Sequence, residues 1–212
     1  MKKLLIEHTS VIGIERSSLI ESIDRNNGRL ILRNVLLQRA DAPNRNRRVY
    51  PKRILEREIK LYENKISDKK AFGELDHPMG DSGNVISLRN VCQAIIDVNW
   101  KGNEVFGDVE ILNTPSGNII REILLAGFRV GQSSRGLGSV ESIEGSEDDD
   151  IVEVQEDFEL LALADAVSDE STHGANMRMN EQYNREENTQ TKKIDQLLRE
   201  IRCELGGICN IC

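Results

Sequence analysis

The sequence predicts an α+β fold in which strands outnumber helices. Short apolar runs bounded by turn residues recur between residues 30 and 167, whereas only two or three segments have the spacing of an amphipathic helix. This pattern fits either an α+β arrangement or a barrel decorated with helices. The chain has 212 residues, of which 38% are hydrophobic and 30% are charged. That is enough for one domain whose core needs no disulfides, together with a polar extension.

The predicted domain begins with a strand at residues 30–37, because this apolar run is typical of a buried strand. After a loop at residues 42–46, a helix is predicted for residues 52–64. Pro51 suits the start of that helix, since proline is pre-organised for a first helical turn. The apolar stripe of the helix consists of Ile54, Leu55, Ile59 and Leu61.

A hairpin and a second helix are expected next. Residues 91–98 and 105–112 have the composition of strands, and residues 101–104 fit the turn between them. A helix over residues 117–126 is expected to end at Gly127, since glycine commonly follows a helix.

The last strands are predicted at residues 139–144 and 151–167, on either side of the acidic loop Glu147-Asp148-Asp149-Asp150. This loop lacks the alternating ligands and the central glycine of an EF-hand. A solvated turn is therefore predicted there rather than a calcium site.

Composition divides the chain into an N-terminal segment at residues 1–29, a central domain at residues 30–167 and a polar tail at residues 168–212. The tail has the composition of a linker or disordered segment. Its residues 191–205 nevertheless have helical apolar spacing, which predicts a short amphipathic helix that docks on its own domain or on a partner. The N-terminus begins like a signal peptide, but its apolar part is only three residues long, so secretion is not expected. No apolar run is long enough to predict a membrane span.

Charge and cysteine content restrict the function further. The net charge of −8 argues against binding a nucleic acid through its phosphates. Three of the four cysteines lie in the last ten residues, which is not a disulfide framework and indicates a reducing compartment. Cys209 and Cys212 have zinc-ligand spacing, and Cys203 and His173 are further candidates. A second ligand pair is missing, so no metal is predicted.

A candidate nucleophile lies in the run Gly131-Gln132-Ser133-Ser134-Arg135-Gly136-Leu137-Gly138. Glycines at both ends favour a sharp turn, which would present a serine hydroxyl beside free backbone amides. At this level Ser133 and Ser134 are equivalent. A polar surface loop is the alternative interpretation.

A serine needs a base, and histidine is the usual one near neutral pH. Of the three histidines, His77 is the one expected inside the folded domain, in a loop bounded by Gly and Pro. Asp165 is preferred as the residue that orients it, because an acid in an apolar strand needs a partner. Glu74 and Asp76 are the alternatives.

Three other chemistries fit less well. The spacing Glu74-x-x-His77 matches a di-iron carboxylate motif, but a second copy is missing. Arg135 replaces the final glycine of a Gly-x-Ser-x-Gly elbow, which disfavours an α/β-hydrolase. There is no phosphate-binding loop of the Gly-x-x-x-x-Gly-Lys-Ser/Thr type.

Four blocks of sequence stand in a specific order along residues 30–167. They are Asn44-Arg45-Asn46-Arg47-Arg48-Val49-Tyr50-Pro51-Lys52-Arg53-Ile54-Leu55-Glu56, Gly73-Glu74-Leu75-Asp76-His77-Pro78, Trp100-Lys101-Gly102-Asn103 and Ser133-Ser134-Arg135-Gly136-Leu137-Gly138-Ser139. In order and spacing they resemble the blocks of T-even-type phage prohead (capsid maturation) proteases. The resemblance implies a fold related to the herpesvirus assemblin proteases, a β-barrel surrounded by helices, and no cofactor.

The same resemblance implies roles for individual residues. Ser133 would be the nucleophile, His77 the general base and Asp165 the residue that orients His77. The oxyanion site would be shaped by Ser134, Arg135 and Gly136, with backbone amides as donors.

The resemblance also implies a serine endopeptidase that is made as a zymogen inside the immature head, in the host cytoplasm. Its substrates would be scaffold or core proteins, the major capsid protein and the chain itself, cut after Glu in a Leu/Ile-x-Glu context, and self-association is a further implied contact. Matching tripeptides predict autocleavage after Glu7, Glu21 and Glu200. Neither a nucleic acid nor a membrane is expected as a partner. The alternatives are a non-catalytic scaffold component of the prohead and a hydrolase of small acyl substrates.

Overall fold

Eleven strands and three helices are present among the described residues of a computed structural model of the chain, which are residues 2–78, 83–143, 151–168 and 176–177. In chain order they are β1 (Lys3–Ile12), α1 (Arg16–Arg25), β2 (Leu30–Arg39), β3 (Arg48–Val49), α2 (Lys52–Ser67), β4 (Phe72–Glu74), β5 (Val91–Lys101), β6 (Glu104–Ile111), α3 (Pro115–Leu125), β7 (Val130–Gly138), β8 (Val140–Ser142), β9 (Val152–Val154), β10 (Glu159–Val167) and β11 (Asn176–Met177).

The strands form three sheets, with orders β10-β7-β1-β11, β2-β6-β5-β4 and β3-β9-β8. In the first sheet, β7 lies between β1 and β10 and is antiparallel to both. The first two sheets meet where an isolated parallel bridge pairs Leu75 with Ala166. The α+β prediction is thus confirmed, but the described strands do not close into the β-barrel that the resemblance implied.

The predicted helices and hairpin are present close to their expected bounds. Helix α2 begins after Pro51, and its buried face includes Ile54, Leu55, Ile59 and Tyr62. Helix α3 begins at a hydrogen bond from the Gly117 amide to the Thr114 hydroxyl, 3.0 Å long, because that side chain satisfies an amide of the first turn. The hairpin of β5 and β6 turns at Gly102, whose φ of 63° favours glycine.

The structure differs from the expectations at three places in the fold. The N-terminal residues, expected outside the domain, include β1, which pairs with β7 in the first sheet, and α1, which buries Leu19. The serine-containing run, expected as a turn, is the central strand β7. Residues 151–167 form two strands, β9 and β10, rather than one.

Several predictions lie outside the described residues. They are the acidic loop, the amphipathic helix at residues 191–205, and the roles of His173, Cys203, Cys209 and Cys212. Within the described part of the chain, no helix has the length and apolar character needed to span a bilayer.

Candidate active site

His77 is placed by a reversal of the chain at the end of β4. Asp76 has a φ of 59°, in the left-handed region that aspartate tolerates better than most residues. Its amide donates to the Ala166 carbonyl at 2.8 Å, which fixes the reversal against the end of β10. His77 follows immediately and is therefore directed at β10 rather than along β4.

Ser133 and Asp165 come from neighbouring strands. Ser133 is in β7 and Asp165 is its register partner in β10. Directly opposite residues of an antiparallel pair point to the same face of the sheet, so the two side chains lie on one face. The register of β10 shifts between Ala162 and Asp165, and this irregularity leaves Ser134 as the residue without a partner on β10.

The three side chains form a continuous hydrogen-bonded chain. His77 Nε2 lies 2.6 Å from Ser133 Oγ, and His77 Nδ1 lies 3.0 Å from Asp165 Oδ2. A carboxylate can only accept, so Nδ1 carries the proton and Nε2 is left to accept from the serine hydroxyl. His77 is half-buried, whereas Ser133 and Asp165 have no exposed surface. The structure thus brings together the residues that the sequence selected, with Ser133 rather than Ser134 next to the imidazole.

The buried Asp165 carboxylate has a partner for each of its accepting positions. Oδ1 accepts from the Glu74 amide at 2.8 Å and from Arg135 Nη2 at 3.4 Å. Oδ2 accepts from Arg135 Nε at 2.5 Å, besides His77. A buried charge is tolerable only when paired and hydrogen-bonded in this way. The alternatives for the orienting residue are placed elsewhere: Glu74 forms an ion pair with Arg135, and Asp76 is exposed.

The predicted oxyanion residues have a more restricted environment than expected. The guanidinium of Arg135 is buried and donates to Asp165, Glu74 and the Gly83 carbonyl. Gly136 is packed under Phe158, and a Cβ there would lie 2.3 Å from its ring. The Ser134 hydroxyl accepts from Gln38 Nε2 at 3.0 Å, on the face of β7 opposite to Ser133.

Two of the predicted autocleavage sites lie in regular structure. Glu7, in β1, is buried, and its carboxylate accepts from Tyr50, Arg48, Asn44 and Asn46. Glu21 is in α1, exposed and paired with Arg25. Glu200 lies outside the described residues.

Two further ionisable groups lie near the site. The thiol of Cys92, in β5, donates to the Gly73 carbonyl, and burial together with the Asp165 charge raises its pKa to about 12. The Tyr62 hydroxyl, in α2, accepts from the Leu163 amide, and burial raises the pKa of Tyr62 well above its ordinary value. Both groups are therefore neutral at physiological pH. Among the described residues, no group of three or more His, Cys, Asp or Glu side chains is arranged to hold a metal ion.

Sequence reasoning did not anticipate how Glu74 and Arg135 are used. Glu74 has no exposed surface and pairs with Arg135 directly behind Asp165. The signal was available, because Glu74 follows Ala71-Phe72-Gly73, a short apolar run in which an acid needs a partner just as Asp165 does in its own strand.

Comparison with known proteins agrees with the resemblance carried by the four sequence blocks. The profile of the prohead core protein serine protease family matches residues 15–187. The chain is 38% identical over 142 residues to the prohead core protein protease of Enterobacteria phage T4, a match that covers 65% of this chain and 63% of that protein. The match thus spans less than two thirds of the length of this curated relative. The structure of the bacteriophage T4 capsid assembly protease is similar with a TM-score of 0.63 and 29% identity, over 78% of this chain and 97% of that one.

Proposed function

Because the chain belongs to the prohead core protein serine protease family, we propose that it is a serine endopeptidase of the phage prohead, with Ser133, His77 and Asp165 as its catalytic triad. The observation that supports this most is the hydrogen-bonded chain from Asp165 through His77 to Ser133 Oγ. Nucleophile, base and orienting group stand within hydrogen-bond reach of one another, which is the geometry that acyl transfer requires.

In the proposed reaction, His77 Nε2 takes the proton of Ser133 Oγ while Oγ attacks the carbonyl carbon of the scissile peptide. Asp165 stabilises the imidazolium that forms, through the hydrogen bond from Nδ1. The same proton then passes from Nε2 to the leaving amine, the C–N bond breaks, and an acyl-enzyme on Ser133 remains. Water, deprotonated by His77, hydrolyses this ester and restores the enzyme.

The developing oxyanion needs a hydrogen-bond donor close to Ser133. Of the three residues predicted for this role, we retain the backbone amide of Ser134. It directly follows the nucleophile, and the register shift leaves Ser134 without a partner on β10. Arg135 and Gly136 have register partners on both neighbouring strands.

Ser133 has no exposed surface, so a peptide carbonyl reaches its Oγ only after a local opening of the site. A triad that is assembled but covered supports the proposal that the chain is made as a zymogen. Activation would then consist of uncovering Ser133 rather than of building the triad.

The proposed substrates are scaffold or core proteins, the major capsid protein and the chain itself, cut after Glu in a Leu/Ile-x-Glu context, within the prohead in the host cytoplasm. Proteases bind their substrates as extended segments. Glu7 is buried in a paired strand and Glu21 lies on a helix, and neither is such a segment while the chain is folded. Glu200 lies in the helix predicted at residues 191–205 and would also have to unwind before it is cut. We retain it as the proposed autocleavage site because a short helix in a polar tail unwinds more easily than the paired strand β1 or the packed helix α1.

Intact-mass spectrometry of the purified chain over several hours tests the proposal. The wild type is expected to lose residues 201–212, whereas Ser133→Ala stays intact. Ser134→Ala is the matched control, because its hydroxyl bonds to Gln38, and it is expected to cleave. Glu200→Gln should keep its own tail while still cutting a synthetic Leu-x-Glu peptide.

Equal fragmentation of the wild type and Ser133→Ala would overturn the proposal, because it would remove Ser133 as nucleophile. If the wild type cuts neither itself nor the peptide, two explanations remain: the non-catalytic scaffold component, and a zymogen in which Ser133 is uncovered only in the assembled prohead.

A further inference from the structure

Arg135 and Glu74 form a buried ion pair next to Asp165 that the proposed reaction does not yet use. Both side chains are at most 1% exposed. Burying a carboxylate and a guanidinium is costly, and the charges are usually retained for a specific purpose or replaced by apolar side chains without loss of stability. The purpose can be deduced from the partners of the two groups.

Arg135 is tied to three segments of the chain at once. Its Nε and Nη2 donate to Asp165 of β10, Nη2 also donates to Glu74 of β4, and Nη1 donates to the Gly83 carbonyl at 2.9 Å. Glu74 Oε1 in turn accepts from the Ser87 amide at 3.1 Å. Both sides of the segment that begins at His77 are therefore anchored to this ion pair, through Glu74 before it and Gly83 and Ser87 after it.

Arg135, Glu74 and Asp165 form a cluster whose net charge also bears on its purpose. One guanidinium lies between two carboxylates, which leaves one net negative charge facing His77. Among the described residues, Cys92 from β5 and Tyr62 from α2 are the other ionisable groups whose pKa values respond to these charges, and both are neutral at physiological pH. Ser133 from β7 is neutral as well, and Asp76, the residue before His77, is exposed to solvent.

We propose that Arg135 and Glu74 are positioning residues for His77. Arg135 holds Asp165 in one orientation as a carboxylate, and Glu74 cancels the charge of Arg135, so that Asp165 keeps its full effect on the imidazolium. Without Glu74, the guanidinium would neutralise Asp165 and the imidazolium would lose its counter-charge. The catalytic consequence rests on the proposed function, whereas the effect on the charge of His77 does not.

The variant that isolates this effect is Glu74→Gln, which keeps the shape and removes the charge. Loss of one unit charge from a buried cluster is expected to shift the protonation midpoint of His77 by about one pH unit, downwards, because the imidazolium is less stabilised. Glu58→Gln is the matched control. Glu58 is also buried and ion-paired, to Arg57, and it also binds β10, at the Leu160 amide, but it does not contact the triad.

The first measurement is a titration of the histidine ring nitrogens by NMR in a Ser133→Ala background, which prevents self-cleavage. The chain has three histidines, and His77→Asn assigns the signal. The midpoint of His77 is expected to fall by about one pH unit with Glu74→Gln and to stay within about 0.2 unit with Glu58→Gln. Equal midpoints in the Glu74→Gln and Glu58→Gln chains would overturn the proposal. Thermal unfolding verifies that each variant is folded.

The second measurement is the pH profile of kcat/KM on a synthetic peptide with Ser133 intact. Glu74→Gln is expected to move the acid limb down by about one pH unit and to lower kcat about tenfold, with KM within about twofold. Arg135→Lys keeps the positive charge, so the acid limb of its pH profile is expected at the same pH as in the wild type, whereas its kcat is expected to fall. If the wild type cuts no peptide, the cleavage assay does not test Glu74, and the NMR titration alone decides its role. If the wild type cuts the peptide and the acid limb of Glu74→Gln lies at the same pH as that of the wild type, only the positioning proposal is overturned.

Discussion

Gly73→Ala tests whether the close approach of β4 to β10 aligns the site. A Cβ at position 73 would lie 1.9 Å from the carbonyl oxygen of Ala164, whereas ordinary van der Waals contact begins at 3.4 Å. The obstacle is backbone, so no rotamer change relieves it. The two strands would have to separate by about 1.5 Å, next to Asp165.

A separation of that size would break the two hydrogen bonds that flank the contact. They run from the Glu74 amide to Asp165 Oδ1 and from the Asp76 amide to the Ala166 carbonyl, both 2.8 Å long. Each contributes about 1 kcal/mol, and overpacking costs about 1–3 kcal/mol, so the free energy of unfolding should fall by about 3–5 kcal/mol. Cleavage should fall by about 100-fold, since His77 would move by more than about 1 Å relative to Asp165.

Urea unfolding and peptide cleavage measure the two effects. Gly13→Ala is the control, because the atoms nearest to a Cβ at Gly13 belong to the Arg129 side chain, at 3.0 Å and beyond, and a flexible side chain is able to move aside. The reasoning would be refuted if the free energy of unfolding of Gly73→Ala lay within about 1 kcal/mol of that of the control and its cleavage rate within about threefold.

Two other perturbations test the electrostatics away from the triad. Glu7→Gln should lower the free energy of unfolding by about 2–4 kcal/mol, because an amide cannot accept all the hydrogen bonds that the buried carboxylate accepts. The pKa of Tyr50 is raised by burial and by Glu7, so it should then move toward its ordinary value. An unchanged free energy of unfolding in urea would contradict the predicted loss of stability. The hydrogen bond from Arg29 lowers the pKa of Glu110 below its ordinary 4.5, so its stabilisation is present above that pH and is lost as the pH falls through the folded-state pKa. Glu110→Gln should therefore flatten the dependence of the free energy of unfolding on pH below about pH 4.5. If urea unfolding gives the same slope for the variant and the wild type in that range, the pair contributes nothing.

The elements with strong local patterns were predictable from the sequence. Helix α2 has a proline at its start and an apolar stripe, and the β5–β6 hairpin has two apolar runs around a glycine turn. Both signals are local, so they do not depend on what packs against the element.

Strand β7 was not predictable in the same way. Its glycines and serines have low strand propensity, and they indicated a turn. In the fold, Gly136 is required because Phe158 and the Glu159 carbonyl leave no room for a side chain, at 2.3 Å and 2.8 Å from a Cβ. The glycine thus reports a close contact with residues more than twenty positions away, which a local pattern does not reveal.

The candidate site was predictable as far as residue type and order along the chain allowed. His77, Ser133 and Asp165 were selected, and the structure brings them together. The distribution of charge around them depends on register: Glu74 and Arg135 meet because β4 and β7 both border β10. No spacing along the sequence encodes that pair.

The position of β7 also bears on how the protein is made. Its two neighbours are synthesised at different times, because β1 precedes β7 by more than a hundred residues and β10 follows β7 by some twenty residues. Pairings over such long separations form late and slowly during folding. A nascent or prematurely terminated chain that stops before Asp165 carries Ser133 and His77, but one edge of β7 is bare and the imidazole has no counter-charge. A chain truncated before Asp165 would thus be unable to carry out the proposed reaction.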